Sequence, residues 1–160
     1  MKKRIVSGML CMMMAAAMAV PVSAAEPQEK STTLTTDVES EYILTIPKDT
    51  QIPFGAEETG IGSVKVTGNV KPAETVKVDV ETGNFISQDN PQDTIALTLI
   101  NKNDNSEFRT SIWNEKEMRD ETKEIPLAVQ VKGEDWNKAY AGTYQATLTF
   151  TASLITPLAP

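Results

Sequence analysis

The chain contains no histidine among its 160 residues, and its single cysteine, Cys11, lies in an apolar run near the N-terminus. Without histidine, the sequence lacks the commonest general base and zinc ligand, and a serine–histidine triad is excluded. A disulfide bond within the chain is excluded as well, because there is no second thiol. We therefore expect no enzymatic activity, no cofactor and no metal site.

Basic residues are also scarce: 15 lysines and arginines stand against 22 aspartates and glutamates, which gives a formal net charge of −7. Residues 2–4 are all basic and precede an apolar run at residues 6–20, which is followed by small residues up to Ala25. This layout is typical of a secretory signal peptide. The run is also shorter than the roughly 20 residues of a membrane-spanning helix. We therefore expect residues 1–25 to be removed on export.

Without the three basic residues of that segment, the counts become 12 basic and 22 acidic, and the formal charge becomes −10. A strongly acidic chain is repelled by nucleic acid and by anionic lipid. We therefore predict a secreted or extracellular-surface protein that binds no nucleic acid and inserts into no membrane after signal cleavage. Residues 26–36 are predicted to be a polar leader, residues 37–155 the folded domain, and residues 156–160 a tail.

Long helical patterns are missing from the rest of the chain, and alternation of polar and apolar residues replaces them. The clearest example is residues 141–154, where Tyr144, Leu148 and Phe150 fall on one face and threonines on the other. Successive side chains of a strand point to opposite faces, so this pattern predicts a strand with one dry face. We expect a second sheet to cover Leu148 and Phe150.

Other strands are predicted where β-branched residues and alternation coincide. They cover residues 33–38 (a weak first strand), 41–47, 64–70, 76–80, 94–100, 107–113 and 124–132. The valine-rich strands at 64–70 and 76–80 are predicted to form a hairpin that is closed by a turn at residues 71–74. A short helix capped by Asn114 is predicted over residues 114–123, and a turn over residues 133–138. The pattern predicts an all-β fold, a two-sheet antiparallel sandwich of seven to nine strands with one short helical turn.

The segment Ala141-Gly142-Thr143-Tyr144, leading into a threonine-rich strand, resembles the closing strand of exported bacterial immunoglobulin-like and pilin-like β-sandwich proteins. The tract from residues 42–47 to the turn at Trp136 is similar to small secreted proteins of Gram-positive gut bacteria. The resemblance implies an immunoglobulin-like sandwich with a surface or adhesive role, and it supplies no catalytic residues. The cysteine pair of many such domains is absent, and no sortase motif supports a covalent wall anchor.

Candidate ligand contacts come from the aromatic residues, since aromatic rings stack on sugars in many binding modules. We single out Trp113, Trp136 and Tyr140. The alternative is that the tryptophans pack at the ends of the sandwich, where an amphipathic ring covers the edge of the core. The close acidic pairs, such as Glu57-Glu58, lie in predicted turns and are interpreted as solvated.

These observations predict a non-catalytic secreted or cell-surface structural or adhesion protein. The long amphipathic last strand suits pairing with another chain, so self-assembly through an edge strand is the predicted mode. The partner is then a second copy or another surface protein. The alternative function is a glycan-binding module that uses exposed tryptophans to bind an extracellular glycan.

Overall fold

A computed structural model describes residues 30–157 of the chain. The predicted signal peptide and the last three residues of the predicted tail lie outside the described residues. A compact unit begins at Asp37. Within the described range, no helix has the length and apolar character that a bilayer crossing requires.

The predicted weak strand at residues 33–38 is absent, and residues 30–40 form no helix or strand. Its two large apolar side chains, Leu34 and Val38, are exposed. The segment is otherwise threonine-rich and polar, so it has little apolar surface with which to offset the entropy of ordering.

The fold is all-β and sandwich-like, as predicted, and the described residues form eleven strands and two short helices. The elements are β1 (Glu41–Thr45), β2 (Glu58–Asn69), β3 (Thr75–Thr82), β4 (Phe85–Ser87), β5 (Thr94–Ile95), β6 (Thr98–Asn101), β7 (Ser106–Glu107), β8 (Thr110–Asn114), α1 (Glu115–Arg119), β9 (Glu124–Gln130), α2 (Gly133–Trp136), β10 (Tyr144–Gln145) and β11 (Leu148–Ile155).

All pairings are antiparallel, and they build three sheets in the described chain. The first sheet has the order β1-β2-β9-β6-β7, the second β11-β3-β8 and the third β10-β4-β5. The two small sheets continue one another, because β11 pairs with β3 and the preceding β10 pairs with the following β4. Between the pairs Leu148–Thr82 and Gln145–Ile86, the two residues 146–147 stand opposite the three residues 83–85. This one-residue shift interrupts what would otherwise be one long ladder.

The predicted hairpin between residues 64–70 and 76–80 is wrong. β2 pairs with β1 and β9, whereas β3 pairs with β11 and β8. The turn itself is present, since the Glu74 N–H donates to the Lys71 carbonyl over 3.0 Å. It carries the chain from one sheet to another, so that Val66 and Val76 are both fully buried in one core. Alternation determines which face of a strand is buried, but it does not determine the neighbouring strand.

Two predicted strands are broken because the chain changes sheet within them. The clearest case is the step from β7 to β8. The Phe108 N–H donates to the Leu99 carbonyl in the first sheet over 2.8 Å, and the next carbonyl, Arg109, accepts from the Val80 N–H in the second sheet over 2.8 Å. Such corners join the two faces of a sandwich. The step from β5 to β6 is a second corner.

The strand count of eleven exceeds the predicted seven to nine for three reasons. The corners divide two predicted strands, and the register shift divides the terminal strand into β10 and β11. The additional strand β4 is not predicted, because its sequence shows no alternating pattern. There are also two short helices where one helical turn was predicted. α1 carries the predicted Asn114 cap, and α2 occupies the predicted turn at residues 133–138.

The core combines side chains from the first and second sheets and from α1. The fully buried members include Val64, Val66, Val76, Val78, Trp113, Met118 and Leu127. Asn114 and Glu117 form a reciprocal capping box, which satisfies backbone donors at the start of α1 and holds Met118 in the core. Burial of each large aliphatic side chain contributes about 1.5–3 kcal/mol.

The terminal strand has the predicted alternation, but its apolar face is less covered than expected. Along β11, Leu148, Phe150 and Ala152 are half-buried, and the threonines between them are exposed. Leu148 and Phe150 pack against the core cluster on one side. On the other side they line an open cleft.

Candidate binding cleft and strand edge

The cleft lies between the loop at residues 46–54 and the segment at residues 139–150. Its volume is about 1080 Å³. Core residues such as Ile61, Ile95 and Val129 also line it. This volume slightly exceeds the roughly 300–1,000 Å³ of typical ligand pockets. The lining combines apolar and aromatic side chains with polar ones such as Lys48, Asp49 and Gln51.

An aromatic pair forms part of the cleft lining. Phe54 meets Trp136 edge to face, with ring centroids 5.4 Å apart and an interplanar angle of 68°. Trp136 is 9% exposed, and its indole N–H donates to the Ala56 carbonyl over 2.9 Å. Phe54 is 80% exposed. The buried tryptophan therefore supports an exposed phenylalanine at the cleft.

Two of the three predicted contact residues line this cleft. Tyr140 is 72% exposed and lines the same cleft as Trp136. Its carbonyl accepts a hydrogen bond from the Tyr144 hydroxyl over 3.2 Å. Phe54 was missed, because a lone aromatic residue in a proline–glycine loop carries no pattern. The only sign of Phe54 in the sequence is that a large apolar residue occurs in a loop rich in turn-forming residues.

Trp113 lies elsewhere and is completely buried. Its indole N–H donates to the Lys123 carbonyl over 3.1 Å, and the Lys123 ammonium lies 4.9 Å from its ring centroid. The ammonium also donates to the Ile112 carbonyl over 2.5 Å. The position of Trp113 therefore matches the packing interpretation, because a buried ring offers no face to a ligand.

The acidic side chains of the predicted turns bond to their own surroundings, and one of them, Glu58, is the first residue of β2. Glu58 faces Lys102 at 3.5 Å, and Asp93 accepts from the Asn90 side chain over 3.1 Å. Asp104 accepts from the hydroxyl and the backbone N–H of Ser106, and these hydrogen bonds lower the pKa of the Asp104 carboxyl. Across residues 30–157, no three acidic, histidine or cysteine side chains are grouped to hold a metal ion.

The second feature of this region is the outer edge of β11, which is the last strand of its sheet among the described residues. The Val80 N–H donates to Arg109, so the polar backbone groups of Val80 point away from β11. Phe150 is the register partner of Val80 on β11. This is therefore a non-hydrogen-bonded pair, and the N–H and C=O of Phe150 point outward, away from β3.

Every second residue of a regular strand points its backbone groups the same way, so Leu148, Ala152 and Leu154 share the outward direction of Phe150. An independent contact agrees with this assignment. The Tyr42 hydroxyl, on the first sheet, donates to the Ala152 carbonyl over 3.2 Å. The outward row of β11 therefore consists of Leu148, Phe150, Ala152 and Leu154.

This edge lacks the usual protection against pairing. Natural edge strands commonly carry lysine, proline or a bulge, which prevent another strand from pairing with them. β11 has eight residues with no proline and no charge, and the sequence has no charged residue from 139 to 160. Leu154 and Ile155 are exposed at its end. Strand edge and cleft adjoin, because Leu148 and Phe150 belong to both.

Neither a known protein-family model nor a curated protein sequence matches this chain. The resemblance to exported bacterial sandwich proteins therefore stays a prediction.

Proposed function

We propose that this protein is a non-catalytic structural or adhesion module, secreted or held at the cell surface, which binds another protein chain by adding a strand along β11. One observation carries the proposal: the outward row of β11 presents backbone donors and acceptors on an uncharged edge without proline. The proposal includes an immunoglobulin-like arrangement of the sandwich and export through a signal peptide at residues 1–25.

Strand addition suits this edge for a physical reason. Main-chain hydrogen bonds provide affinity with any extended partner, and side chains on alternate positions provide specificity. The outward row offers four N–H and four C=O groups, of which the Ala152 carbonyl is engaged by Tyr42. A strand added beside β11 would lie close to the cleft, since Leu148 and Phe150 line it. Apolar side chains of the partner could therefore contact the cleft.

Photo-crosslinking on intact cells tests the proposal. A benzoylphenylalanine at Ser153, on the exposed face of β11, is expected to give a covalent adduct with a second protein chain. The same probe at Asn103, in the exposed turn between β6 and β7, is the control. An Ala152→Pro change removes one outward N–H, so it should abolish the adduct. The fold should tolerate this change, because proline is accepted in an edge strand where the N–H faces solvent. Equal adduct yields from the two probe positions would overturn the proposal.

Export is tested separately. Mass spectrometry of the protein recovered from the culture medium or the cell surface should find a chain that begins near residue 26. A chain that remains inside the cell with residues 1–25 attached would contradict the proposed location.

A specific observation also favours the second candidate, a glycan-binding module. The cleft brings Tyr140 and the Phe54–Trp136 pair to one opening, and it also includes threonine hydroxyls and the Gln51 amide. Aromatic faces with nearby hydrogen-bonding groups are the chemistry that binds sugars. On a glycan array, binding that is lost in Tyr140→Ala but kept in Trp113→Phe would support this function. Equal binding by Tyr140→Ala and the unmodified protein would remove it.

A further inference from the structure

The geometry points to a second copy of this chain as the partner of β11, in an antiparallel pair with a two-fold axis at Thr151. This inference rests on the proposed strand addition and adds the partner, the register and the symmetry. The second sheets of the two copies would meet edge to edge, so that β8-β3-β11 continues into β11-β3-β8 of the other copy.

Charge favours a second copy over a foreign chain. The whole sequence has a formal charge of −7, so two copies repel each other across most of their surface. The stretch from residue 139 to the C-terminus is the longest one without any charged residue. Two copies that approach through β11 therefore place no like charges opposite each other. An edge built for a foreign partner would gain specificity and speed from complementary charge, and this edge has none to offer.

Backbone direction limits the register of such a pair. The outward row has even residue numbers, so even residues of one copy must face even residues of the other. With the axis at Thr151, Phe150 exchanges hydrogen bonds with Ala152, and Leu148 exchanges hydrogen bonds with Leu154. All four residues of the row then have partners on the other copy.

The neighbouring registers use fewer of these groups. An axis at Phe150 puts Leu154 opposite residue 146, and an axis at Ala152 puts Leu148 opposite residue 156. Both of those partners lie outside β11. Side-chain size also selects the axis at Thr151, since a large ring stands opposite a methyl group there. An axis at Phe150 would place two phenylalanine rings opposite each other.

The exposed face of the pair is complementary too. With the axis at Thr151, the two Thr151 side chains face each other, and Thr149 faces Ser153. Opposed threonine and serine side chains are among the favourable cross-strand pairs, each contributing a modest amount. The face therefore carries small hydroxyls throughout and needs no rearrangement of long side chains.

The symmetry makes this assembly closed. A two-fold pair uses the same edge on both copies, so that β11 is no longer available and the product is a dimer, not a fibre. The contact is also small, because eight residues per copy bury less than the roughly 1,200–2,000 Å² of a stable interface. A weak dimer is expected, and it would be strengthened where copies are concentrated on a surface.

Disulfide trapping in solution tests the register. In a Cys11→Ser background, Thr151→Cys places two thiols in a non-hydrogen-bonded pair, where the Cα atoms are about 4.5 Å apart, within the roughly 4.4–6.8 Å that a disulfide spans. The protein is purified with the N-terminus that remains after processing in its expression host. It is then oxidised, and formation of the covalent dimer is followed over time. Thr151→Cys is expected to crosslink at least tenfold faster than Thr149→Cys or Ser153→Cys alone. A mixture of the last two variants should crosslink with each other.

Sedimentation equilibrium supplies the second measurement. The parent protein should pass from monomer to dimer with rising concentration and stop there, and Ala152→Pro should remain a monomer with unchanged circular dichroism. The inference is overturned by a monomer at millimolar concentration, by open-ended polymers, or by equal crosslinking rates at the three positions. If the photo-crosslinked adduct on cells contains a different protein, strand addition stands and the second copy is wrong. If no adduct and no dimer form, both proposals fail.

Discussion

The hydroxyls of Ser40 and Thr156, at the two ends of the compact unit, donate to the same carboxylate, that of Glu74. Ser40 does so over 2.6 Å and Thr156 over 3.4 Å, and the Lys71 N–H also donates over 2.9 Å. Glu74 is only 5% exposed. One side chain at the turn between β2 and β3 therefore holds the chain that enters β1 and the chain that leaves β11.

These contacts predict how acid affects the protein. The Ser40 hydroxyl, followed by the Lys71 N–H, lowers the pKa of Glu74 from its ordinary value of 4.5. A lowered pKa in the folded state means that Glu74 stabilises the fold fully above that ordinary value. This stabilisation is lost as the pH falls through the lowered folded value. Glu74→Gln should therefore be less stable than the parent at pH 7, and the difference should shrink in acid.

The measurement is urea unfolding at several pH values between neutral and strongly acidic. Glu81→Gln, which removes an exposed carboxylate from β3, the strand that follows Glu74, is the matched control and should follow the parent at every pH. A constant stability difference between Glu74→Gln and the parent across the whole range would contradict this prediction.

The sequence contained enough information to predict the fold class and most buried faces. Alternation alone identified Val64, Val66, Val76 and Val78 as core residues, because burial of a strand face requires period-two placement. Strand pairing could not be predicted in the same way. The corner at Phe108 and Arg109 depends on two distant backbone partners, and no local pattern marks it.

The candidate site was predictable only in part, for a related reason. An aromatic residue type does not show which side of a strand or loop it will occupy, and therefore the sequence makes both Trp113 and Tyr140 candidate contacts. One is fully buried and the other is 72% exposed. The amphipathic character of the last strand was visible, but the direction of its backbone groups depends on the bond between Val80 and Arg109.

Gly68 is expected to tolerate no side chain. Its φ is +153°, and an added Cβ would lie 2.3 Å from the Glu41 carbonyl oxygen and 2.7 Å from the Tyr42 Cα of the neighbouring strand. Gly68→Ala should therefore cost about 1–3 kcal/mol, as strained backbone positions typically do. Gly83→Ala is the control, since a Cβ added at Gly83 would meet nothing within 4 Å. It should be neutral or stabilise by about 0.4–1 kcal/mol in the same urea titration.

Trp113 is expected to act through packing alone. Trp113→Ala should destabilise the fold by about 3–5 kcal/mol, because it leaves a cavity where a fully buried ring contacts the core. Trp113→Phe keeps much of the ring volume but leaves the Lys123 carbonyl without its indole donor. It should cost less than the alanine change, about 1–3 kcal/mol. Thermal unfolding of both variants measures this, and an alanine variant as stable as the parent would show that the ring is not a core residue.

Tyr42 is expected to compete with strand addition at β11. Its hydroxyl bonds the Ala152 carbonyl, which the proposed second copy would need for its own hydrogen bond. A hydrogen bond of this kind contributes about 0.5–1.5 kcal/mol. Tyr42→Phe removes the competitor from both copies of the dimer, so the gain counts twice, about 1–3 kcal/mol in all. The dimer should therefore tighten by about 5- to 150-fold in Kd, while the fold loses a little stability.

Sedimentation equilibrium measures the change, with Tyr144→Phe as the matched control. The Tyr144 hydroxyl also donates to a backbone carbonyl, that of Tyr140, but this carbonyl lies outside β11. The control should therefore leave the dimer unchanged. A dimer that weakens in Tyr42→Phe would mean that the hydroxyl holds the edge in the shape the second copy binds, and that Tyr42 supports the pairing of β11 instead of opposing it.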